Sequence, residues 1–315
     1  MSDGARTGRR LEVALRAGRF VVTAETTPPD AADAAAVRER VAPLMGLVDA
    51  VNVTDGAGAR AHMSALACAA ILAREGIEPV MQVTVRDRNR IAIQADLIGA
   101  GALGVRNVLC LHGDDPATGD QPEARAVNDL DSTALITTAR TLREGALPSG
   151  RPVRPPPPLF IGAADTPREP EAGWRPQRLA EKIAAGADFF QTQFCFDAGR
   201  LERYMAALGD HGLRGRAHYI VGLGPLPSAG SARWMRRHLF GVDIPDSIVA
   251  RLEGAADPAA EGVRICVELI AAFREIDGVS GVHLMAPRGE AAVARVIAEA
   301  GLAVADRPVL AAEGR

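Results

Sequence analysis

Glu25 is the first candidate for acid–base chemistry. It lies at the end of an apolar run, and two prolines, Pro28 and Pro29, follow closely. A carboxylate at the end of a buried strand is partly desolvated, which favours its neutral form and suits a general acid near neutral pH. The alternative is a glutamate that caps a helix or forms an ion pair at the rim of the fold.

A second polar segment, His112, Gly113 and Asp114, interrupts a hydrophobic run. Glycine permits close approach of the backbone to a ligand, and the adjacent carboxylate can orient or tune a bound ring system. A tight turn with a capping aspartate explains the same residues equally well.

Gln191 and Gln193 are two residues apart in the segment DFFQTQFCFD, residues 188–197. This spacing places both amides on one side of a strand, with Gln193 nearer its carboxyl end. A primary amide both donates and accepts hydrogen bonds, which matches a heterocycle with alternating donors and acceptors. A satisfied polar layer inside the fold is the alternative.

Lys182 is the one lysine among the 36 lysine and arginine residues of the chain. It lies in a segment of helical period, where a lone lysine is normally a solvated surface group. Two glycine-rich segments, 54–60 and 222–230, follow predicted strands and could approach a phosphate or a ring. Neither has the G-x-G-x-x-G pattern in a βαβ unit, so a Rossmann assignment is not supported.

The elements that must position these residues alternate between short β-branched runs and longer helical segments, which is typical of repeated β-α units. Eight such units in 315 residues favour an α/β fold of the (β/α)8 TIM-barrel type over a doubly wound sheet with an appended domain. We expect a single domain over residues 1–315, with 1–15 as a flexible or helical extension. The predicted strands are 20–25, 50–54, 80–84, 105–111, 159–163, 189–194, 219–223 and 282–285. The predicted helices are about 33–46, 62–75, 88–101, 129–146, 176–186, 198–208, 229–238, 246–254, 259–276 and 289–300.

In such a barrel, the loops after the strands gather at one face, where ligands bind. Polar or small residues at the predicted strand ends therefore form one candidate site. They are Glu25, Thr54, Asp55, Gln82, Thr84, His112, Asp114, Ala164, Asp165 and Gln193, with residues 222–225 and Met285 at the ends of the last two strands.

Composition excludes several classes of protein. The formal charge of −3 is spread along the chain, so neither a nucleic-acid surface nor a polybasic membrane patch is expected. The four cysteines lie far apart, outside any metal-binding spacing, and no metal site is expected. No apolar run approaches a membrane span, and we expect a cytoplasmic protein.

The chain resembles the methylenetetrahydrofolate reductase family over essentially its whole length. The order and spacing of several segments carry this resemblance. They are AETTPP, VNVTDGAG, QVTVRDRNRIAIQADLIGAGALGVRNVLCLHGDDP, DLDS, LFIGAA, KIAAGADFFQTQFCFD, YIVGLGPL, IPDSIVARLEG and GVSGVHLMAP.

The resemblance implies a (β/α)8 barrel that holds FAD and uses NADH or NADPH to reduce 5,10-methylenetetrahydrofolate to 5-methyltetrahydrofolate. It implies that Glu25 is the general acid that opens the imidazolidine ring, and that Asp114 lies near the flavin and the pterin. Gln193 would bind the folate, and a homo-oligomer is expected. The residues expected to contact the cofactor are Thr54, Gln82, Thr84, His112, Gly113, Ala164 and Lys182, with Lys182 at the FAD phosphates.

Some positions depart from a well-studied branch of the family. Gln82 replaces a histidine, His112 an arginine, and Arg175 an acidic residue that binds adenosine. Residues 164–170 lack a flavin-facing tyrosine and histidine, and Ala229 or a neighbour replaces the aromatic residue that stacks on nicotinamide.

These departures leave two alternatives open. One is a flavin-poor or flavin-independent folate reductase or oxidase, which takes hydride directly from a nicotinamide or another carrier, or works with a partner subunit. The other is an accessory folate-binding barrel of a methyl-transfer system.

Overall fold

The computed structural model describes residues 7–302, and its centre is a closed barrel of eight parallel strands in sequence order. This confirms the predicted (β/α)8 fold. The strands are β1 (Val21–Thr26), β2 (Ala50–Val53), β3 (Pro79–Thr84), β4 (Asn107–Leu111), β5 (Phe160–Asp165), β6 (Phe189–Phe194), β7 (His218–Leu223) and β8 (Val279–Leu284).

Helices surround the barrel, and short 3-10 turns lie at 42–44, 57–59 and 116–118. No helix within residues 7–302 is long and apolar enough to cross a bilayer. The α-helices are α1 (Arg10–Arg16), α2 (Ala34–Val41), α3 (Ala65–Arg74), α4 (Arg90–Ala102), α5 (Ser132–Arg143), α6 (Gln177–Ala185), α7 (Ala198–Asp210), α8 (Ala229–His238), α9 (Asp246–Gly254), α10 (Pro258–Arg274) and α11 (Glu290–Glu299).

Polar residues fix where most of these helices begin. In seven of the helices within residues 7–302, the side chain just before the first turn accepts a hydrogen bond from a backbone N–H of that turn, which satisfies a donor that the helix itself leaves unpaired. These capping residues are Asp33, Ser64, Asn89, Asp131, Asp197, Ser228 and Asp257.

Alternation along each strand separates two environments. On β1, Val22 and Ala24 pack in the layer between barrel and helices, whereas Val21 belongs to a second cluster inside the barrel. Because side chains alternate with a period of two, Thr23 and Glu25 lie on the same inner side as Val21. The inner side of β1 therefore changes from apolar to polar toward its carboxyl end.

Helix α1 closes the amino-terminal mouth of the barrel. Leu11 and Leu15 are buried in the inner cluster. The carboxylate of Glu78 accepts hydrogen bonds from the backbone N–H of Arg10 at 2.7 Å and of Leu11 at 3.2 Å, and burial raises the pKa of Glu78. The extension predicted over 1–15 thus contains a packed helix, and residues 1–6 lie outside the described residues.

Candidate active site

Glu25 lies on the carboxyl-terminal half of β1 with 22% of its side chain exposed. Gln82, on β3, donates a hydrogen bond from Nε2 to Oε2 of Glu25 at 2.8 Å. Nε2 of His283, on β8, lies 3.6 Å from the same oxygen. Within residues 7–302, no hydrogen bond reaches Oε1. One carboxylate oxygen is therefore held by the barrel, and the other is left for a ligand.

A buried polar layer lies beneath Glu25. The amides of Asn52 and Gln191 pair reciprocally, at 2.6 Å and 3.1 Å. Nε2 of Gln191 also donates to Oγ1 of Thr23 at 3.1 Å, and Oγ1 of Thr23 lies 2.9 Å from Nδ1 of His283. Gln191 is therefore a satisfied interior amide, the alternative that its sequence position left open.

Gln193 lies at the rim of the barrel. Its Oε1 accepts a hydrogen bond from the backbone N–H of Phe194 at 3.0 Å, and its Nε2 donates to the carbonyl of Phe240 at 3.4 Å. The strand register shifts here, and β6 approaches β7 so closely that a Cβ on Gly222 would lie 2.2 Å from the carbonyl oxygen of Thr192. The bulge separates the environment of Gln193 from that of Gln191.

Asp114 is exposed and joins two loops. Its Oδ2 accepts a hydrogen bond from the backbone N–H of Gly58 at 2.8 Å. Arg86, which is buried, donates to the carbonyls of Asp114 at 3.3 Å and Gly56 at 3.2 Å. The loops after β2 and β4 therefore form one rim. The described residues show no direct contact between Asp114 and Glu25, although both lie at the carboxyl-terminal face.

Two threonines lie at the ends of β2 and β3, and only one of them, Thr84, has a hydrogen-bond partner for its hydroxyl among the described residues. Thr84 donates from its backbone N–H at 2.8 Å and from Oγ1 at 3.0 Å to Oδ2 of Asp55, which Arg88 also contacts. Thr54 is buried, and its Oγ1 has no hydrogen-bond partner among the described residues. A buried hydroxyl without a partner costs free energy, so Thr54 is a natural contact for a ligand.

Lys182 reaches from α6 to the end of β5. Its Nζ donates to the carbonyl of Ala164 at 2.6 Å. Burial lowers the pKa of Lys182, and the charge of Asp165 opposes that effect. Asp165 in turn accepts hydrogen bonds from the hydroxyls of Tyr204 and Tyr219. The lysine is therefore partly buried at the carboxyl-terminal face rather than fully solvated.

The remaining predicted contacts lie after β4. His112 is exposed there, and Gly113 has a φ of +98°, with the position of an added Cβ 3.1 Å from the side chain of Thr84. Only glycine adopts this backbone conformation readily while leaving the rim open.

Sequence reasoning missed the inner layer. Thr23, Asn52 and His283 lie within apolar strands, and their signal is a polar residue at every second position of a strand. For β8 the sequence pointed to Met285, whereas His283 is the residue that faces Glu25.

The fold and site together define a (β/α)8-barrel protein with a candidate acid–base group at the carboxyl-terminal face, where enzymes of this fold have their active sites. The family model of methylenetetrahydrofolate reductase matches residues 10–301. The chain therefore belongs to the methylenetetrahydrofolate reductase family, as the sequence segments indicated.

Two known proteins are similar to this chain, one in sequence and one in structure. It is 28% identical over 266 residues to methylenetetrahydrofolate reductase 2 of Schizosaccharomyces pombe, covering 80% of this chain and 40% of that relative. The chain thus spans well under half the length of that curated relative. A Clostridium thermocellum protein, which binds two copies of 5-methyl-5,6,7,8-tetrahydrofolic acid, has the same fold. It superposes with a TM-score of 0.59 at 16% identity, covering 89% of this chain and 94% of the other.

The family generally uses FAD and a nicotinamide, and two features of this site fit FAD. The unpartnered buried hydroxyl of Thr54 offers a hydrogen bond to a ring system. Lys182 uses one donor on Ala164 and has further N–H donors for a phosphate. Thr84 and Gln82 are already engaged by Asp55 and Glu25.

Proposed function

We propose that this chain reduces 5,10-methylenetetrahydrofolate to 5-methyltetrahydrofolate, with NADH or NADPH as the reductant and bound FAD as the carrier. Membership of the methylenetetrahydrofolate reductase family supports an oxidoreductase that acts on a folate. The folate-binding barrel of Clostridium thermocellum supports the same ligand class. FAD, when bound, supplies the hydride.

The observation that carries the proposal is the asymmetric environment of Glu25. Oε2 is held by Gln82, while Oε1 has no hydrogen bond within the described chain. A protonated Glu25 can therefore present its O–H to N10 of the folate, because the other oxygen fixes the carboxyl group in place. As the bond from the methylene carbon to N10 breaks, its electron pair and this proton go to N10, which leaves a 5-iminium cation on the substrate.

The other groups bind and orient. Gln193 at the rim offers an amide to the pterin, and Asp114 places a carboxylate at the same face, where a developing cation is stabilised. Thr54 and Lys182 would hold the FAD. His112, Gly113 and Ala164 line the same ends of β4 and β5.

The experiment that tests the proposal compares Glu25→Gln with Glu202→Gln. Glu202 is exposed on α7, so its variant removes the same charge without touching the face of the barrel. We expect Glu25→Gln to lower reduction of methylenetetrahydrofolate about 100- to 10,000-fold, to a residual rate, but to leave reduction of bound flavin by NAD(P)H largely intact, since only ring opening needs the acid. Full folate turnover by Glu25→Gln would contradict the proposal.

A second candidate is a reductase that uses no flavin and takes hydride directly from a nicotinamide. It is favoured by the engagement of Thr84 and Gln82 within the protein rather than toward an open cofactor site. The visible spectrum of the purified protein separates the candidates: oxidised flavin bands indicate the first, and a colourless protein that still turns over indicates the second.

A further inference from the structure

The polar layer inside the barrel has a direction. The amides of Asn52 and Gln191 donate to each other's oxygens, and the pair would be equally satisfied with both amides turned over, so its orientation is set by the groups around it. Nε2 of Gln191 then donates to Oγ1 of Thr23. The hydroxyl of Thr23 can then donate its own proton to Nδ1 of His283, which lies 2.9 Å from Oγ1 of Thr23.

Two polar atoms lie near Nδ1 of His283, Oγ1 of Thr23 at 2.9 Å and Nε2 of Gln191 at 3.4 Å. The two protons on Nε2 of Gln191 are already accepted by Asn52 and Thr23. The polarity is set at the other ring nitrogen, because Oε2 of Glu25, which accepts from Gln82, faces Nε2 of His283. A proton of the neutral imidazole on Nε2 suits that acceptor and leaves Nδ1 to accept from the hydroxyl of Thr23.

We infer that His283 is a positioning residue for Glu25, held by the Thr23–Gln191–Asn52 chain in the tautomer whose Nε2–H faces Oε2 of Glu25. This inference rests on the proposed function. Nε2 lies 3.6 Å from Oε2 in the ligand-free chain, slightly beyond hydrogen-bond distance, and catalytic contacts commonly shorten when substrate binds.

The position of His283 gives it a distinct effect on the proton transfer. When Glu25 loses its proton from Oε1, negative charge develops over the carboxylate. Nε2–H of His283 and Nε2–H of Gln82 both face Oε2, so two preorganised donors stabilise the charge as it forms. Oε1 stays directed toward the substrate because Oε2 is held from two sides.

The activity test uses two substitutions that each keep one half of the imidazole. His283→Gln places an amide near the position of Nε2 and keeps a donor for Glu25, whereas His283→Asn reaches only the position of Nδ1 and keeps the contact with Thr23. We expect His283→Asn to lower kcat for folate reduction about 10-fold or more with little change in KM, and His283→Gln to recover much of the loss.

A double-mutant cycle separates positioning from structure. In a Glu25→Gln background, His283→Asn should cause no further fall in kcat, because the group that it positions is already disabled. A purely structural histidine would lower kcat by the same factor in both backgrounds and would be no better replaced by glutamine. Either result overturns the inference.

NMR of protein with ¹⁵N-labelled histidine tests the tautomer without any turnover. We expect the His283 resonances, assigned by their loss in His283→Gln, to show a protonated Nε2 and a bare Nδ1. Thr23→Val should weaken this preference, and Thr23→Ser should keep it. A protonated Nδ1 overturns the inference even if folate is reduced. A wild-type protein that does not reduce folate contradicts the proposed function, while the tautomer is still decided.

Discussion

Gln82 donates a 2.8 Å hydrogen bond to Oε2 of Glu25, from a strand that is not adjacent to the one that carries Glu25. A residue expected to contact the cofactor is therefore bonded to the expected acid. Gln82 stands where a branch of the family has histidine, and in this chain it holds the carboxyl group of Glu25 that the proposed reaction uses.

Replacing the Gln82 amide tests this bond. Gln82→Met keeps the length of the side chain but removes the donor, and a hydrogen bond to a charged group contributes about 1.5 to 3 kcal/mol. We expect kcat for folate reduction to fall about 10- to 100-fold. Gln82→His, which keeps an N–H donor, is the matched control and should retain more activity. Equal losses in both variants would show that the donor is not what matters.

The unpartnered hydroxyl of Thr54 predicts two opposite effects of one substitution. Thr54→Val removes a buried polar group without a partner, so the free energy of unfolding of the ligand-free protein should rise by about 1 kcal/mol. The same change should weaken retention of FAD. Urea unfolding and the flavin content per chain measure the two effects, with Thr54→Ser as the control that keeps the hydroxyl. A destabilised Thr54→Val protein would contradict the assignment.

Lys182 can be tested against a neighbour on the same helix. Lys182→Met removes an ammonium that is partly buried at the face of the barrel, whereas Arg178→Met removes an exposed cation from α6. We expect the first variant to purify with much less bound flavin and the second to be unaffected. Unchanged flavin in Lys182→Met would limit the role of the lysine to its bond with the Ala164 carbonyl.

Tyr204 and Tyr219 predict a loss of stability in alkali. Burial and the charge of Asp165 raise the pKa of both hydroxyls above the usual value of about 10. Above that pH the unfolded chain loses these protons while the folded chain keeps them. The free energy of unfolding should therefore fall by about 1.4 kcal/mol per pH unit for each tyrosine.

Tyrosinate absorption measures this directly, because these are the two tyrosines of the sequence. The folded protein should show no tyrosinate signal near pH 10, and the signal should appear together with unfolding. Tyr204→Phe leaves Tyr219 alone and should reduce the dependence on pH by the share of one tyrosine, about 1.4 kcal/mol per pH unit. Free ionisation of the folded protein near pH 10 is the contrary outcome.

The sequence was sufficient for the order of elements because their signals are local. Helices α8 and α9 have the predicted bounds, 229–238 and 246–254. Helix α5 was predicted from 129 but begins at Ser132, because Asp131 caps it while Asp129 pairs with Arg90. The first residue of the helix thus depends on which of two nearby aspartates forms an ion pair with a residue distant in sequence, because the other one is then the cap.

The site was less accessible to sequence reasoning. Glu25 was placed at a strand end correctly, but its partners are Gln82, 57 residues away on β3, and His283 on the last strand of the barrel. The contact with His283 exists because β8 closes the barrel against β1. Closure and strand tilt set which inward side chains meet, and no local pattern encodes them.

Helix α1 closes the amino-terminal end of the barrel, and this limits how ligands can enter and leave. The inner cluster packs against α1, and Glu78 holds the first turn of that helix. Within the described chain, a ligand therefore reaches Glu25 only from the carboxyl-terminal rim. A reductant and a folate that both react at this face would have to use the same access route. High concentrations of one should therefore slow the entry of the other, and initial-rate measurements across both concentrations should show mutual competition.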